Sequence, residues 1–149
     1  MIVRAAKEPD FAEMALKGRS FWEQTEYSAE VPYDEESIMR WLPIMADQGL
    51  LFLAQEDTEI VGFVGGVSAP IFANDGYKAG TEMFWYMDPA YRHRGAAKGL
   101  LEAVENAARA IGCTYWTMIA LESMQPVRVG EMYEKAGYTP HERSFAKRL

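Results

Sequence analysis

Arg92-His93-Arg94-Gly95-Ala96-Ala97-Lys98 joins a strand that Asp88-Pro89 must stop to the longest clean amphipathic stripe in the chain. A strand, a glycine turn and a helix N-terminus together make an anion site. The first helical N–H groups have no acceptor within the helix, and the positive end of its dipole favours a nearby anion by ~0.3–1 kcal/mol. Arg92, Arg94 and Lys98 add cations, Gly95 lets backbone approach a ligand closely, and the small Ala96 and Ala97 leave room for a pyrophosphate above the turn. The run is not a Walker loop: GxxxxGKS/T is absent, and Gly62, Gly65 and Gly66 do not form GxGxxG. Other chemistries find less support. Cys113 follows Gly112 at the start of a strand, where a thiol behaves as a small hydrophobe, and no His-Asp partner is evident near it. His141 reads as an exposed tail residue, and His93 as a backbone contributor to the turn.

The composition narrows the classes further. With 149 residues, 49% hydrophobic and 25% charged, the chain has the make-up of one ordinary globular domain. One Cys and two His are too few soft ligands for a tetrahedral zinc site, so no metal is expected. The net charge of −7 opposes the phosphate-neutralising interactions that drive nucleic-acid binding, which excludes nucleic acid as the expected partner. The least charged run, residues 60–73, contains Gly and Pro and falls short of the ~20 residues that cross a bilayer. The first residues carry Arg4, Lys7, Glu8 and Asp10 in place of an apolar leader, so a cytoplasmic protein without membrane contact is expected.

The elements that must position the turn follow from apolar spacing. Residues 1–6 read as a short strand. Phe11, Met14, Ala15, Gly18, Phe21 and Trp22 form the stripe of a first helix, with Pro9 in its opening turn. After an acidic connector from Gln24 to Pro32, Asp34 caps a second helix with a face of Ile38, Trp41, Leu42 and Met45, and Pro43 predicts a kink or an early end. Residues 50–54 and 60–67 predict an antiparallel hairpin, 69–80 a loop, and 81–87 a central strand. Ala97, Leu100, Leu101, Val104, Ala108 and Ile111 line one face of the third helix, which Gly112 ends. A strand over 114–120, a helix from Pro126 to Lys135 closed by Gly137, and a mostly extended tail over 138–149 complete the order β α α β β β α β α β. The four tryptophans fall on helix or strand faces and are expected in the core.

Arg92, Gly95 and Ala97 match the pattern Arg or Gln, two residues, Gly, one residue, then Gly or Ala. This is the pyrophosphate-binding motif of the GNAT superfamily of acyl-CoA-dependent N-acyltransferases, which the chain resembles. Tyr133-Glu134-Lys135-Ala136-Gly137-Tyr138 is similar to that family's C-terminal YEKxGF-like signature, and the element order is also the family's, so the resemblance covers the whole chain. It implies an α/β (α+β) fold in a single domain over residues 1–149, with a mixed, mostly antiparallel central sheet, helices on both faces and central strands splayed at the acetyl-CoA site. It further implies that backbone N–H groups from His93 to Lys98 bind the pyrophosphate with Arg92 at the head of the motif. Pantetheine would pair with the strand end near Tyr86 and Met87.

The activity implied is acetyl transfer from acetyl-CoA, as cosubstrate and without metal, to a primary amine by direct attack in a ternary complex. That reaction needs a neutral amine, a stabilised oxyanion and a protonated leaving thiolate. Neutralising a lysine-like ammonium at pH 7 costs roughly 4.6 kcal/mol, so a base is useful. Glu82 is the base candidate, since it shares a strand face with Phe84 and Tyr86 and an apolar setting raises its pKa; the alternative is a solvated carboxylate or an ion pair. A strand-end N–H near Met87 is the candidate oxyanion donor. By the resemblance, Tyr133 meets the departing sulfur. Full proton transfer from a phenol near pKa 10 to a thiolate near 8.5 is uphill by about 2 kcal/mol, but a hydrogen bond still helps. The competing reading of Tyr133 is a core residue packing the last helix on the sheet.

The connector between the first two helices helps wall the acceptor pocket in this family. Here it carries Glu26, Glu30, Asp34, Glu35 and Glu36 with Tyr27 and Tyr33, which would attract a cationic amine or simply keep a loop solvated. Only 12 residues follow Gly137, fewer than in many members, which leads us to expect a homodimer that completes the pocket. The amine acceptor, small molecule or protein, is open. The rival reading is a catalytically silent CoA-binding module with a regulatory or structural role.

Overall fold

The two β-branched runs do form a hairpin, and it is the middle of the sheet. β2 (Leu51–Glu56) turns into β3 (Glu59–Ile71), and β4 (Asn74–Met87) returns antiparallel to β3. The computed structural model describes residues 1–92 and 94–149, which form two compact units, Met1–Ile119 and Ala120–Leu149. In the first unit β1 (Ile2–Ala5) pairs antiparallel with β2, and β5 (Cys113–Thr117) pairs parallel with β4, giving the order β1-β2-β3-β4-β5. Among the described strands the β4–β5 pair is the parallel one, joined by a crossover through α3, as a parallel pair requires. The mixed, mostly antiparallel sheet is the one the resemblance implies.

Alternation along β3, stepped by a bulge at Val61 where β2 changes register, sends its side chains to opposite faces and creates two cores. Phe63 joins Leu51, Leu53 and Tyr86 beneath α1 (Phe11–Trp22) and α2 (Glu35–Asp47), which contribute Phe11, Met14, Leu42 and Met45. Val64 joins Val61, Leu50 and Met87 beneath α3 (Ala96–Ala110), which contributes Leu100, Val104 and Ala108. Each such side chain fully withdrawn from water stabilises by about 1.5–3 kcal/mol.

Several expectations are corrected. α2 does not end early at Pro43 but runs on to Asp47. The missing hydrogen bond is offset because the flanking Leu42 and Met45 are almost fully buried. The predicted loop over 69–80 is instead the far end of a long hairpin arm, paired through Ala69 with Ala79 and Pro70 with Lys78. Pro70 is tolerated because β3 has left β2 after Gly65, so one edge of the strand there needs no donor. Trp41, expected in the core, is 43% exposed. None of the described helices is long and apolar enough to cross a membrane.

The second unit holds α4 (Pro126–Lys135), opened by Pro126 after a left-handed Gln125 and closed at Gly137, where φ is +96°. Tyr138 N–H donates to the Tyr133 carbonyl at 3.0 Å across that turn. The tail over 138–149 forms no strand. Extended backbone becomes a strand only when a neighbour takes its polar groups, and from Thr139 onward this segment is exposed.

Candidate functional site

Within the first unit, β4 and β5 stay together only from Lys78–Thr81 against Cys113–Thr117. From Glu82 to Met87, β4 keeps β3 on one side and has no β5 partner on the other. The strand after Cys113 is shorter than the predicted 114–120, ending at Thr117, and that early end is what leaves the edge open. At the same point β4 carries a bulge. Gly65 faces Phe84 and Gly66 faces Glu82, which leaves Met83 with no counterpart on β3. An extra residue bends and twists the strand, and here it also breaks the alternation that was to group Glu82 with Phe84 and Tyr86. That expected shared face is therefore corrected.

Glu82 is 6% exposed, and its Oε2 accepts the Ile119 N–H at 3.0 Å, two residues beyond the end of β5. The carboxylate thus spans the mouth of the gap between the diverging strands. Burial pushes its pKa up to about 7, with the Ile119 N–H pulling the other way. Nothing in the sequence pointed to Ile119; only the separation of the strands brings the two together.

The end of β4 faces the same gap. Asp88 N–H donates to the Val61 carbonyl at 2.9 Å, so by antiparallel alternation the N–H and C=O of Met87 turn away from β3 toward the open edge. The Met87 carbonyl accepts Arg92 Nε at 3.2 Å, a contact that no sequence signal announced. Asp88 Oδ1 takes the Ala90 N–H at 2.9 Å and starts the short 3-10 turn Pro89–Tyr91. Tyr91 OH donates to Glu59, which also accepts Lys17 from α1, and the Arg94 guanidinium lies 5.0 Å above the Tyr91 ring. Gly95 sits at φ +83° with open space where a Cβ would stand. The first α3 bond runs from Gly99 N–H to Gly95 O at 3.1 Å, so the N–H groups of Ala96, Ala97 and Lys98 have no helical acceptor. Ala96 is buried, and Lys98 is exposed with Glu102 3.5 Å away. His93 lies outside the described residues.

The structure therefore brings Glu82, Met87, Arg92, Arg94 and Gly95 to Lys98 onto one strand end and the turn that follows it. Tyr86 is buried with its ring 5.1 Å from Phe63, under α1 and α2, and burial raises its hydroxyl pKa. Tyr133 belongs to the second unit, where it is buried on α4 with its ring 5.6 Å from that of Tyr138.

In the connector, Glu26 is exposed, and Tyr27 is half-exposed with its ring 6.0 Å from that of Trp22. Tyr33 is committed elsewhere: its hydroxyl donates to the Ala15 carbonyl at 2.5 Å, and Arg19 lies over its ring. Burial pushes its pKa up to about 12. Tyr33→Phe is accordingly expected to cost about 1 kcal/mol in chemical denaturation, the value of one partly buried hydrogen bond. Among the described residues no group of three or more His, Cys, Asp or Glu stands close enough to hold a metal ion.

The family model for the Acetyltransferase (GNAT) family matches residues 17–138. Solved structures match the whole chain. An acetyltransferase from Trypanosoma brucei is 23% identical with a TM-score of 0.72, covering 99% of each chain. A ribosomal-protein-alanine N-acetyltransferase from Brucella melitensis biovar Abortus 2308 is 20% identical with a TM-score of 0.72, covering 100% of each. An aminoglycoside N-acetyltransferase in complex with CoA is 15% identical with a TM-score of 0.78, covering 99% of this chain and 93% of that one. At these identities the likeness is one of fold.

Proposed function

The chain belongs to the GNAT acetyltransferase family, and from that premise we propose that it transfers an acetyl group from acetyl-CoA to a primary amine by direct attack within a ternary complex. The observation that carries this reading is Glu82, a buried carboxylate that stands where β4 parts from β5 and holds its proton until near neutral pH.

The residues present fit acetyl-CoA. Its diphosphate needs N–H donors and cations, which the turn from Arg92 to Lys98 supplies around an open Gly95. Its pantetheine arm carries amides, which need an unpaired strand edge, and β4 offers one beyond Thr81. When bound, it supplies the acetyl group as an activated thioester. Glu82 takes the proton that the acceptor ammonium must lose, and the neutral amine becomes the nucleophile. The Met87 N–H donates to the acetyl oxygen as charge gathers there. Tyr133 donates a hydrogen bond to the departing sulfur. The acidic connector, with Glu26 and Tyr27, draws a cationic acceptor. A cytoplasmic location and a homodimer belong to this reading too, and sedimentation showing monomer alone at micromolar concentration removes the dimer.

Two measurements test it. CoA at about 100 times its Kd is expected to stabilise the fold by ~2.7 kcal/mol in thermal unfolding, and no stabilisation overturns the reading. Thiol release from acetyl-CoA with a panel of amines reads turnover. Against an amine that works, Tyr133→Phe is expected to lose about tenfold in kcat, the worth of one hydrogen bond to a developing charge, with CoA affinity unchanged. A chain that binds CoA and releases no thiol with any small amine or peptide would be the silent binding module.

A further inference from the structure

The peptide group between Met87 and Asp88 is the last before the chain leaves the sheet, and it is held from both sides. Its N–H donates to the Val61 carbonyl at 2.9 Å on β3, and its C=O accepts Arg92 Nε at 3.2 Å on the open edge. A peptide plane tethered at both ends cannot swing, so the strand stays extended at Met87, whose own N–H, on the preceding peptide, faces the open edge. The second tether comes from the residue at the head of the anion-binding turn. The bond to Met87 engages Nε of a guanidinium that carries further donors on Nη1 and Nη2, and Arg92 itself is exposed.

We propose that Arg92 is a positioning residue that joins the two halves of the donor site: Nε fixes the Met87 carbonyl while the Nη groups take a diphosphate oxygen. Anchoring of the diphosphate and the seating of the strand end that carries the oxyanion donor are then tied to one side chain. This rests on the acetyl-transfer reading and adds to it a coupling within the site.

Two substitutions separate the halves, because they keep different parts of arginine. Gln places its Nε2 the same number of bonds from Cα as the Arg Nε, so Arg92→Gln keeps a donor for Met87 and loses the cation. Arg92→Lys keeps the cation but moves its nitrogen one atom further along and has no second donor group to divide between two partners. The expected result is a crossed pattern. Arg92→Gln keeps kcat within about threefold and raises the KM for acetyl-CoA about tenfold, whereas Arg92→Lys keeps KM within about threefold and loses about tenfold in kcat. A residue serving only as a phosphate cation would lose KM in Arg92→Gln and nothing in Arg92→Lys, and that result overturns the proposal. Equal losses of kcat in the two variants overturn it as well.

A second readout needs no turnover. In the ligand-free protein the Met87 carbonyl 13C shift is expected to stay in place in Arg92→Gln and to move in Arg92→Lys; identical shifts in the two variants sink the tether. Failure of CoA to stabilise the unmodified protein removes the acetyl-transfer reading instead, and the carbonyl comparison still decides whether the tether exists.

Discussion

Glu82→Gln is expected to lower kcat by about 100- to 10,000-fold, the span over which a positioned base contributes, and to make the protein more stable above neutral pH. The two effects have one origin. Burial raises the pKa of Glu82 to about 7, so the carboxylate is ionised and competent only above that pH. In the unmodified enzyme kcat/KM should rise about tenfold per pH unit up to pH 7 and then bend. A lysine-like amine adds a separate limb near its own pKa of ~10. In Glu82→Gln the bend near 7 should disappear. For stability the sign runs against that of most carboxylates. The folded pKa lies above the unfolded value of ~4.3, so the folded state holds the proton more tightly, and stability is full below pH 4 and declines as pH rises through 7. The decline amounts to roughly 4 kcal/mol for a shift of this size, and Gln, uncharged throughout and able to accept the Ile119 N–H, escapes it. Thermal unfolding of both proteins at pH 4 and pH 8 checks this: midpoints should be similar at pH 4 and diverge at pH 8, with the variant higher. A variant that melts lower at pH 8, or a pH–rate profile that keeps its bend, would remove Glu82 from the role.

Gly66→Ala is expected to destabilise by about 3 kcal/mol, at the upper end of the cost of overpacking or beyond it. A Cβ built on Gly66 would stand 2.3 Å from the Thr81 carbonyl oxygen and 2.5 Å from Cη2 of Trp116. The first neighbour is main chain of the adjacent strand and cannot rotate away, so β3 and β4 would have to separate beside the bulge. Glu82 pairs with Gly66 across the ladder, so the proposed base should move as well. Chemical denaturation should show a lower midpoint with an unchanged slope, together with reduced turnover. Gly76→Ala is the contrast: its Cβ would approach the Asn74 side chain at 3.2 Å on an exposed stretch of β4 where that side chain can give way, and little change is expected. Equal effects at the two positions would show that the close approach at Gly66 is relieved by relaxation of the sheet.

The helices were legible because a 3.6-residue stripe needs no partner to be seen. α3 buries Leu100, Leu101, Val104 and Ala108 as their spacing predicts. The strands were legible where apolar side chains alternate, and illegible where pairing alone defines them. Gly76, Gly80 and Pro70 read as loop residues, yet the ladder begun at Gly62 and Met87 carries through them to Ile71 and Asn74. The bulge at Met83 has no local mark either, since register is a property of two strands. The anion turn showed itself because its physics is local: a glycine, a helix start and cations within seven residues. What converges on that turn from elsewhere did not, because Ile119 reaches Glu82 through the end of β5, and Arg92 reaches Met87 only after the chain has doubled back.

The parting of β4 from β5 has a consequence for how such a protein can diversify. A wedge bounded by peptide groups depends little on the side chains around it, so away from close approaches such as Gly66 its shape outlasts substitutions that would erase an ordinary pocket. On the proposed function, residues that greet an incoming amine can therefore be rewritten while the backbone edge proposed for the acyl donor stays as it was, and a new acceptor can be tried without giving up the old chemistry.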